Sequence, residues 1–337
     1  GLSAPRLVDI NGDGRPDVAY AGDNQGNLWK FLMTSDQDRE WGVAQWGALA
    51  ATTSHQSTTG VPLYQARGGQ RSTPGQRTWP QPISTAPLVR SNDRMRTLQH
   101  AAGERRVPVG GLMVAFGTGR NIARLDPQDD SVQSLYAVLD TSRYKRVGEG
   151  GNRVEVCASA ADALCQSVLG SDADLPGPVA QSQLLQRRVS ASPVHARSSD
   201  RRMFWTMEES EAADALDWSR HRGWYLDLPE AGERLLQPLG FYSGSNLLAV
   251  VSQVPARAVA GVQSAARCEP AERSAARRYF SLLNIIDGLR PRLQILDADG
   301  DGVFDPQADG HASRMHLGAR PPSMIRVRDD EGQQRMW

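Results

Sequence analysis

Two stretches of the 337-residue chain set carboxylates at alternate positions around glycine. One is Asp9-Ile10-Asn11-Gly12-Asp13-Gly14-Arg15-Pro16-Asp17. The other is Asp297-Ala298-Asp299-Gly300-Asp301-Gly302-Val303-Phe304-Asp305. Both follow the pattern D-x-[DN]-x-D-G-x-x-D. A hard cation such as Ca2+ takes about six to eight oxygens, so a short loop must turn several of them inward. The spacing predicts two Ca2+ sites. The first would use the side chains of Asp9, Asn11, Asp13 and Asp17 with the carbonyl of Arg15. The second would use Asp297, Asp299, Asp301 and Asp305 with the carbonyl of Val303. Without a cation such crowded carboxylates repel one another, which predicts calcium-dependent local order and tighter binding at the second loop. Asp309 is near enough to add a further ligand there. The alternative is a pair of Asx-turns without metal, because Asp, Asn and Gly all favour turns.

These loops need elements to hold them, and the elements around them read as strands. Leu7-Val8 precedes the first loop and Val18-Ala19-Tyr20 follows it. The twelfth positions hold Tyr20 and Ala308 where a helix-flanked EF-hand has a bidentate Glu. The loops are therefore EF-hand-like but strand-flanked, with affinity expected in the weak range of roughly 10⁻⁴ to 10⁻³ M. Other short apolar runs, such as Leu112–Phe116, Ser134–Leu139, Gly223–Asp227 and Leu247–Val251, lie between or close to Gly, Asp, Asn or Pro. Strands recurring without long helices favour an all-β architecture over a βαβ sheet. Short helices are expected at Ser159–Leu169, Glu208–Trp218 and Ala271–Arg278. Residues 51–80 read as a long exposed loop, and 306–322 as another.

Composition narrows the function. Lys plus Arg and Asp plus Glu are 38 each, so the formal net charge is zero and phosphate-driven nucleic-acid binding is disfavoured. Filling two calcium sites would take the domain to about +4, a weakly cationic surface. No apolar run reaches the roughly 18 residues of a membrane-spanning helix. Of the three cysteines, Cys157 and Cys165 are close enough for a local disulfide in an oxidising compartment, or are two unpaired thiols; Cys268 stands apart.

Catalytic signatures are lacking. The chain has no His-Glu-x-x-His, no Gly-x-Ser-x-Gly elbow and no phosphate loop around either Lys30 or Lys145. Asp227 is a candidate buried acid, with a strand-end turn residue as the favoured reading. Trp29, Trp218 and Trp224 are expected in the core, with Trp41 and Trp46 the better candidates for surface contact. Along Asn27–Phe31 alternation puts Leu28 and Lys30 on one face and Asn27, Trp29 and Phe31 on the other, with the aromatics between sheets.

The first acidic loop continues into Tyr20-Ala21-Gly22-Asp23-Asn24-Gln25-Gly26-Asn27-Leu28-Trp29-Lys30-Phe31. Later come Pro82–Pro87, Phe116-Gly117-Thr118-Gly119-Arg120, Gln133–Tyr136, and Asp217-Trp218 with Gly223-Trp224-Tyr225-Leu226-Asp227-Leu228. In this order they resemble the PilY-type type IV pilus biogenesis and tip adhesin family, in its C-terminal β-propeller domain. The resemblance runs from residue 1 to about 305. No Arg-Gly-Asp tripeptide occurs, so it implies no integrin binding. What it implies is a modified or partial propeller, 1–337 being one such domain or the later part of it. It also implies a pilus factor exported to the periplasm, outer membrane or cell surface, with pilins, minor pilins and host or abiotic surfaces as partners. Its role would be calcium-dependent binding in pilus assembly, extension and retraction, twitching motility and attachment, rather than catalysis. The alternatives are a quinoprotein-type propeller dehydrogenase, for which no quinone-site residues can be named, and a calcium-stabilised secreted module of the FG-GAP kind, which leaves GWYLDL unexplained.

Overall fold

In a computed structural model, residues 1–46, 60–70, 76–100, 103–165, 176–192, 203–208, 216–257, 274–318, 326–328 and 334–336 are described. The short apolar runs become strands that pair into three larger sheets. The first sheet has the order β1 (Arg6–Val8), β2 (Val18–Gly22), β3 (Asn27–Leu32), β4 (Gly42–Val43), and β5 (Tyr64–Gln65) also pairs with β3. A ribbon of β6 (Arg67–Gly68) and β7 (Trp79–Pro80) follows.

The second sheet is built around β8 (Leu88–Ser91), β11 (Leu112–Gly117) and β12 (Ser134–Asp140). To these β18 (Gly223–Asp227) adds antiparallel, and β15 (Leu185–Arg187) pairs with β18 in parallel, giving the order β15-β18-β12-β11-β8. Two hairpins rise from its connections, β9 (Met95–His100) with β10 (Gly103–Pro108) and β13 (Tyr144–Val147) with β14 (Arg153–Val156). The third sheet uses β16 (Val189–Ala191), β17 (Phe204–Met207), β19 (Gly240–Phe241), β20 (Leu247–Val254), β21 (Arg277–Asn284) and β22 (Arg314–Gly318). Their order is β16-β17-β22-β21-β20-β19. A last ribbon joins β23 (Arg326–Arg328) and β24 (Gln334–Met336).

Every residue of β12 is buried, which explains why its interior, Leu135–Leu139, shows no polar alternation. Its side chains still alternate in destination. Tyr136 and Val138, with Val114 and Phe116 of β11, join the core of the first sheet beside Val18, Tyr20, Leu28 and Leu32. Leu135, Ala137 and Leu139, with Met113 and Ala115, join the core of the third beside Leu248, Val250 and Leu283. The middle sheet thus has two apolar faces and holds the other two together. Each large side chain buried this way contributes about 1.5–3 kcal/mol.

Several expectations are corrected. Residues 51–80 are not simply an exposed loop. Leu63, Tyr64 and Ala66 are fully buried, and β5, β6 and β7 lie within the span; 51–59 and 71–75 fall outside the described residues. The 306–322 segment contains β22. The expected helices do not form where they are described: Ser159–Cys165 makes turns, Leu216 and Asp217 are extended or irregular, and Arg277 and Arg278 open β21. Glu208 and residues 274–276 are irregular and Trp218 lies in a turn, while 166–169, 209–215 and 271–273 fall outside the described residues.

A disulfide explains the first case. Cys157 and Cys165 are bonded, with Cα atoms 5.7 Å apart. A helix running through both cysteines would set them about 12 Å apart, and the bonded segment turns back on itself instead. Cys268 lies outside the described residues. On β3 the face carrying Leu28, Lys30 and Leu32 is the buried one, while Trp29 and Phe31 are half-buried. Helical structure among the described residues is confined to short 3-10 turns.

Candidate metal centre and its family

The two acidic loops fold alike. In the first, Asp9 accepts the backbone N–H groups of Gly12 (2.6 Å) and Gly14 (2.7 Å), Asn11 accepts that of Asp13 (3.0 Å), and Asp13 accepts that of Arg15 (2.8 Å). In the second, Asp297 accepts from Gly300 (2.7 Å) and Gly302 (3.0 Å), Asp299 from Asp301 (3.2 Å), and Asp301 from Val303 (2.7 Å). Gly12 and Gly14, like Gly300 and Gly302, have φ between 79° and 86°. An L side chain rarely adopts that backbone, which is why the motif has glycine at both places. Strands β1 and β2 hold the first loop, closed by Asp17 N–H to the Val8 carbonyl at 2.9 Å. The second loop lies between β21 and β22.

The loops part at one carboxylate. In the first, buried Asp17 accepts the N–H of Ile10 at 2.7 Å. The equivalent N–H in the second, from Ala298, goes to Asp309 at 2.5 Å, not to Asp305. Asp309 also accepts from Asp305 N–H at 3.0 Å and is fully buried. Asp305 is exposed and accepts the N–H groups of Gln307 and Ala308, both at 2.8 Å, which tightens a turn. An inserted turn has moved the inward carboxylate four places along the chain. The sequence reading put Asp305 in that inward position, with Asp309 as a possible addition. The structure gives the inward place to Asp309.

Carboxylate oxygens of Asp297, Asp299 and Asp309 all lie within 4.8 Å of one another. Ligands on opposite sides of a Ca2+ ion, at about 2.4 Å each, are about 4.8 Å apart, so this trio fits one coordination sphere. Asp301 is exposed beside it. Asp9, Asp13 and Asp17 do not form such a trio among the described residues.

Electrostatics point the same way. Burial pushes the Asp309 carboxyl above its ordinary range, and the charges of Asp297 and Asp299 add to this. Burial likewise raises Asp17, with Asp13 and Asp9 adding repulsion. Hydrogen bonds from Gly14 and its neighbours hold Asp9 low. An all-oxygen donor set with buried, mutually repelling carboxylates is what a hard dication neutralises. Arg15 and Val303 each follow a glycine of positive φ and occupy the seventh position of the motif.

The remaining candidates resolve into structure. Trp224 is fully buried and donates to the Ile285 carbonyl at 3.0 Å. Half-buried Trp218 packs on the third-sheet core. Trp29 donates to Asp23 at 2.8 Å. Asp23 also accepts from the backbones of Gln25 and Asn27, so the Tyr20–Phe31 signature is a self-bonded turn around Gly26. Trp41 is 43% exposed, whereas Trp46 packs partly into the first core. Asp227 pairs with Arg77 at 2.8 Å and accepts from Ser134 at 2.6 Å, tying the strand end to the segment before β7.

Sequence reasoning missed one buried cluster. Lys30 on β3 meets Asp140 on β12 at 2.8 Å and Ser142 at 2.5 Å, and Tyr20 donates to Asp140 at 2.6 Å. Burial alone would discharge the lysine, but Asp140 outweighs it and holds the ammonium charged. It therefore serves as a cross-sheet tie and not as a base for Ser142. The only signal in the sequence was a lysine among alternating apolar residues.

A family model for the PilY1 beta-propeller domain matches residues 1–176, more than half of the chain. The chain belongs to this family. Type IV pilus biogenesis factor PilY1 of Pseudomonas aeruginosa strain PAO1 is 36% identical over 146 residues, which is 42% of this chain and 11% of the relative. The PilY1 homolog of Xylella fastidiosa is 30% identical over 141 residues, again 42% of this chain and 8% of the relative. The chain thus spans about a tenth of the length of these curated relatives. The solved P. aeruginosa PilY1 C-terminal domain superposes with a TM-score of 0.57 at 19% identity, covering 99% of this chain and 58% of that one. This likeness is one of fold. The all-β, propeller-type architecture expected for the PilY1 family holds, although none of the described sheets closes on itself. No helix among the described residues is long and apolar enough to cross a membrane.

Proposed function

We propose that this PilY1-family domain is the calcium-responsive part of a type IV pilus biogenesis factor, acting by binding partners rather than by catalysis. The observation that carries the reading is the trio of half-buried Asp297 with buried Asp299 and Asp309, in a loop whose hydrogen-bond pattern repeats in the first loop. Calcium would be held there by those three carboxylates, Asp301 and the Val303 carbonyl, and at the first loop by Asp9, Asn11, Asp13, Asp17 and the Arg15 carbonyl. Binding removes the repulsion among the acids and fixes each loop, so a partner meets a different surface with and without the ion. A local disulfide supports placement in an oxidising compartment, at the periplasm, cell surface or pilus tip. Pilins or minor pilins and an adhesion surface are the partners this role requires, and assembly, twitching and attachment are its outputs.

Calorimetry on metal-stripped protein tests the chemistry. Two binding events with affinities near 10⁻⁴ to 10⁻³ M are expected. Asp309→Asn should weaken the second site at least tenfold, and Asp305→Asn should leave it much less affected. Absence of heat up to millimolar calcium, or equal effects of the two substitutions, would sink this assignment. In cells, a deletion strain complemented with the full-length Asp309→Asn protein should show altered piliation, twitching or attachment. Behaviour identical to the wild-type complement would reject the regulatory role.

A further inference from the structure

The first calcium loop also forms one end of a groove of about 740 Å3. Its walls are β1 and β8, the edge strands of the first and second sheets. Val8, Val89 and Leu112 give it apolar lining, and Leu7 on β1 is 52% exposed. Arg6, Arg90 and Arg143 stand around it. Arg6 donates to the Pro87 carbonyl at 3.1 Å, and Arg90 to the Asn246 amide oxygen at 2.8 Å and the Gly244 carbonyl at 3.3 Å. Arg143 donates to the carbonyls of Thr141 and Val109. These bonds hold the guanidiniums of Arg6 and Arg90 on neutral oxygens, which orients their charge without cancelling it. The carboxylate lining the groove is Asp9, from the calcium loop.

We infer that this groove binds an extended, acidic peptide segment of a partner protein. An open strand edge offers backbone N–H and C=O groups to such a segment, and alternate side chains reach the wall. The apolar lining takes one set of side chains and the guanidiniums take carboxylates from the other. Asp9 opposes this occupant while it is a free carboxylate and ceases to do so once calcium neutralises it. Calcium and the acidic peptide therefore strengthen each other's binding, by linkage. This coupling rests on the calcium reading above, whereas binding in the groove does not.

The test uses a fluorescein-labelled alternating Val-Glu peptide, with Val-Gln and Val-Lys peptides as controls, read by anisotropy with calcium and with chelator. The Val-Glu peptide should bind more tightly than either control, and addition of salt should weaken it. The double variant Arg6→Gln/Arg90→Gln should lose at least tenfold in affinity. Leu7→Glu, at an exposed position, should do the same through a charge placed in the groove, with an unchanged melting temperature. Equal binding of Val-Gln and Val-Glu, or unaffected binding in both variants, overturns the groove assignment. Peptide affinity should rise with calcium; a flat response in protein that calorimetry shows to be loaded overturns the coupling. If calorimetry shows no calcium binding, the earlier reading fails instead, and the arginine and Leu7 variants still decide the groove.

Discussion

At the scale of single residues, the chain places charge where burial penalises it and then compensates. Lys30 and Asp140 are each 1% exposed and join the first sheet to the second. Burial would raise the Asp140 carboxyl, but the Lys30 charge, with hydrogen bonds from Lys30, Ser142 and Tyr20, holds it below its ordinary range. Lys30 is held above its own. The signs follow by linkage. The depressed carboxyl adds stability that is present above its unfolded value and is lost as pH falls through the folded one. The raised ammonium adds stability that is present below its unfolded value and is lost as pH rises through the folded one. Urea denaturation across pH should thus show a plateau between these limits. Lys30→Met should cost about 3–5 kcal/mol at neutral pH, because it strands Asp140 in the core. A loss below about 1 kcal/mol would show that the tie contributes little.

At the scale of elements, the family signatures have mechanical reasons. The Gly223–Leu228 segment opens β18 with a glycine at φ 125°, where a Cβ would lie 2.0 Å from the Ala137 carbonyl of β12. Backbone meets backbone there, so no side-chain rotation can relieve the clash. Gly223→Ala should destabilise by at least about 2 kcal/mol through strain and lost pairing between β12 and β18. Gly244→Ala provides the comparison. Its φ is 71° but its surroundings are open, so it should lose less. Equal losses in thermal denaturation would show that φ alone, and not the close approach, sets the cost. Tryptophan in the same segment is explained as well, since Trp224 fills the third-sheet core and anchors it to Ile285.

At the scale of the whole molecule, both acidic loops are attached to sheets that share the middle sheet's two cores, so local order should register in global stability. A ligand that binds only the folded state stabilises it by RT ln(1 + [L]/Kd), about 2.7 kcal/mol at a hundredfold excess over Kd. For weak sites, calcium near 10 mM should raise the melting temperature by several degrees, and magnesium by much less. Asp309→Asn should remove part of that rise. A melting temperature indifferent to calcium would mean that the loops are uncoupled from the fold.

Much of this was legible in the residues. The alternating acids and paired glycines define the loops, because Asp and Asn side chains that cap nearby backbone N–H groups, with glycine where φ is positive, fold such a run into consecutive turns. Short apolar runs with turn residues near them define the all-β class, and the Tyr20–Phe31 and Gly223–Leu228 segments carry the family. Three things were not legible. Asp309 replaces Asp305 because an inserted turn changes which carboxylate reaches the Ala298 N–H, and residue counting does not register a turn. Lys30 is buried because Asp140, more than a hundred residues away, neutralises it. Turns rather than a helix follow Ser159, because spacing left bonded and free thiols both open and only the folded chain chooses the Cys157–Cys165 bond. Composition and spacing alone were enough for the turn geometry of the loops, the strand class and the family, since each rests on neighbouring residues. Tertiary structure alone decided which acid faces inward, which charges lie in the core and where a groove opens between two sheet edges, since each depends on groups that only folding brings within bonding distance.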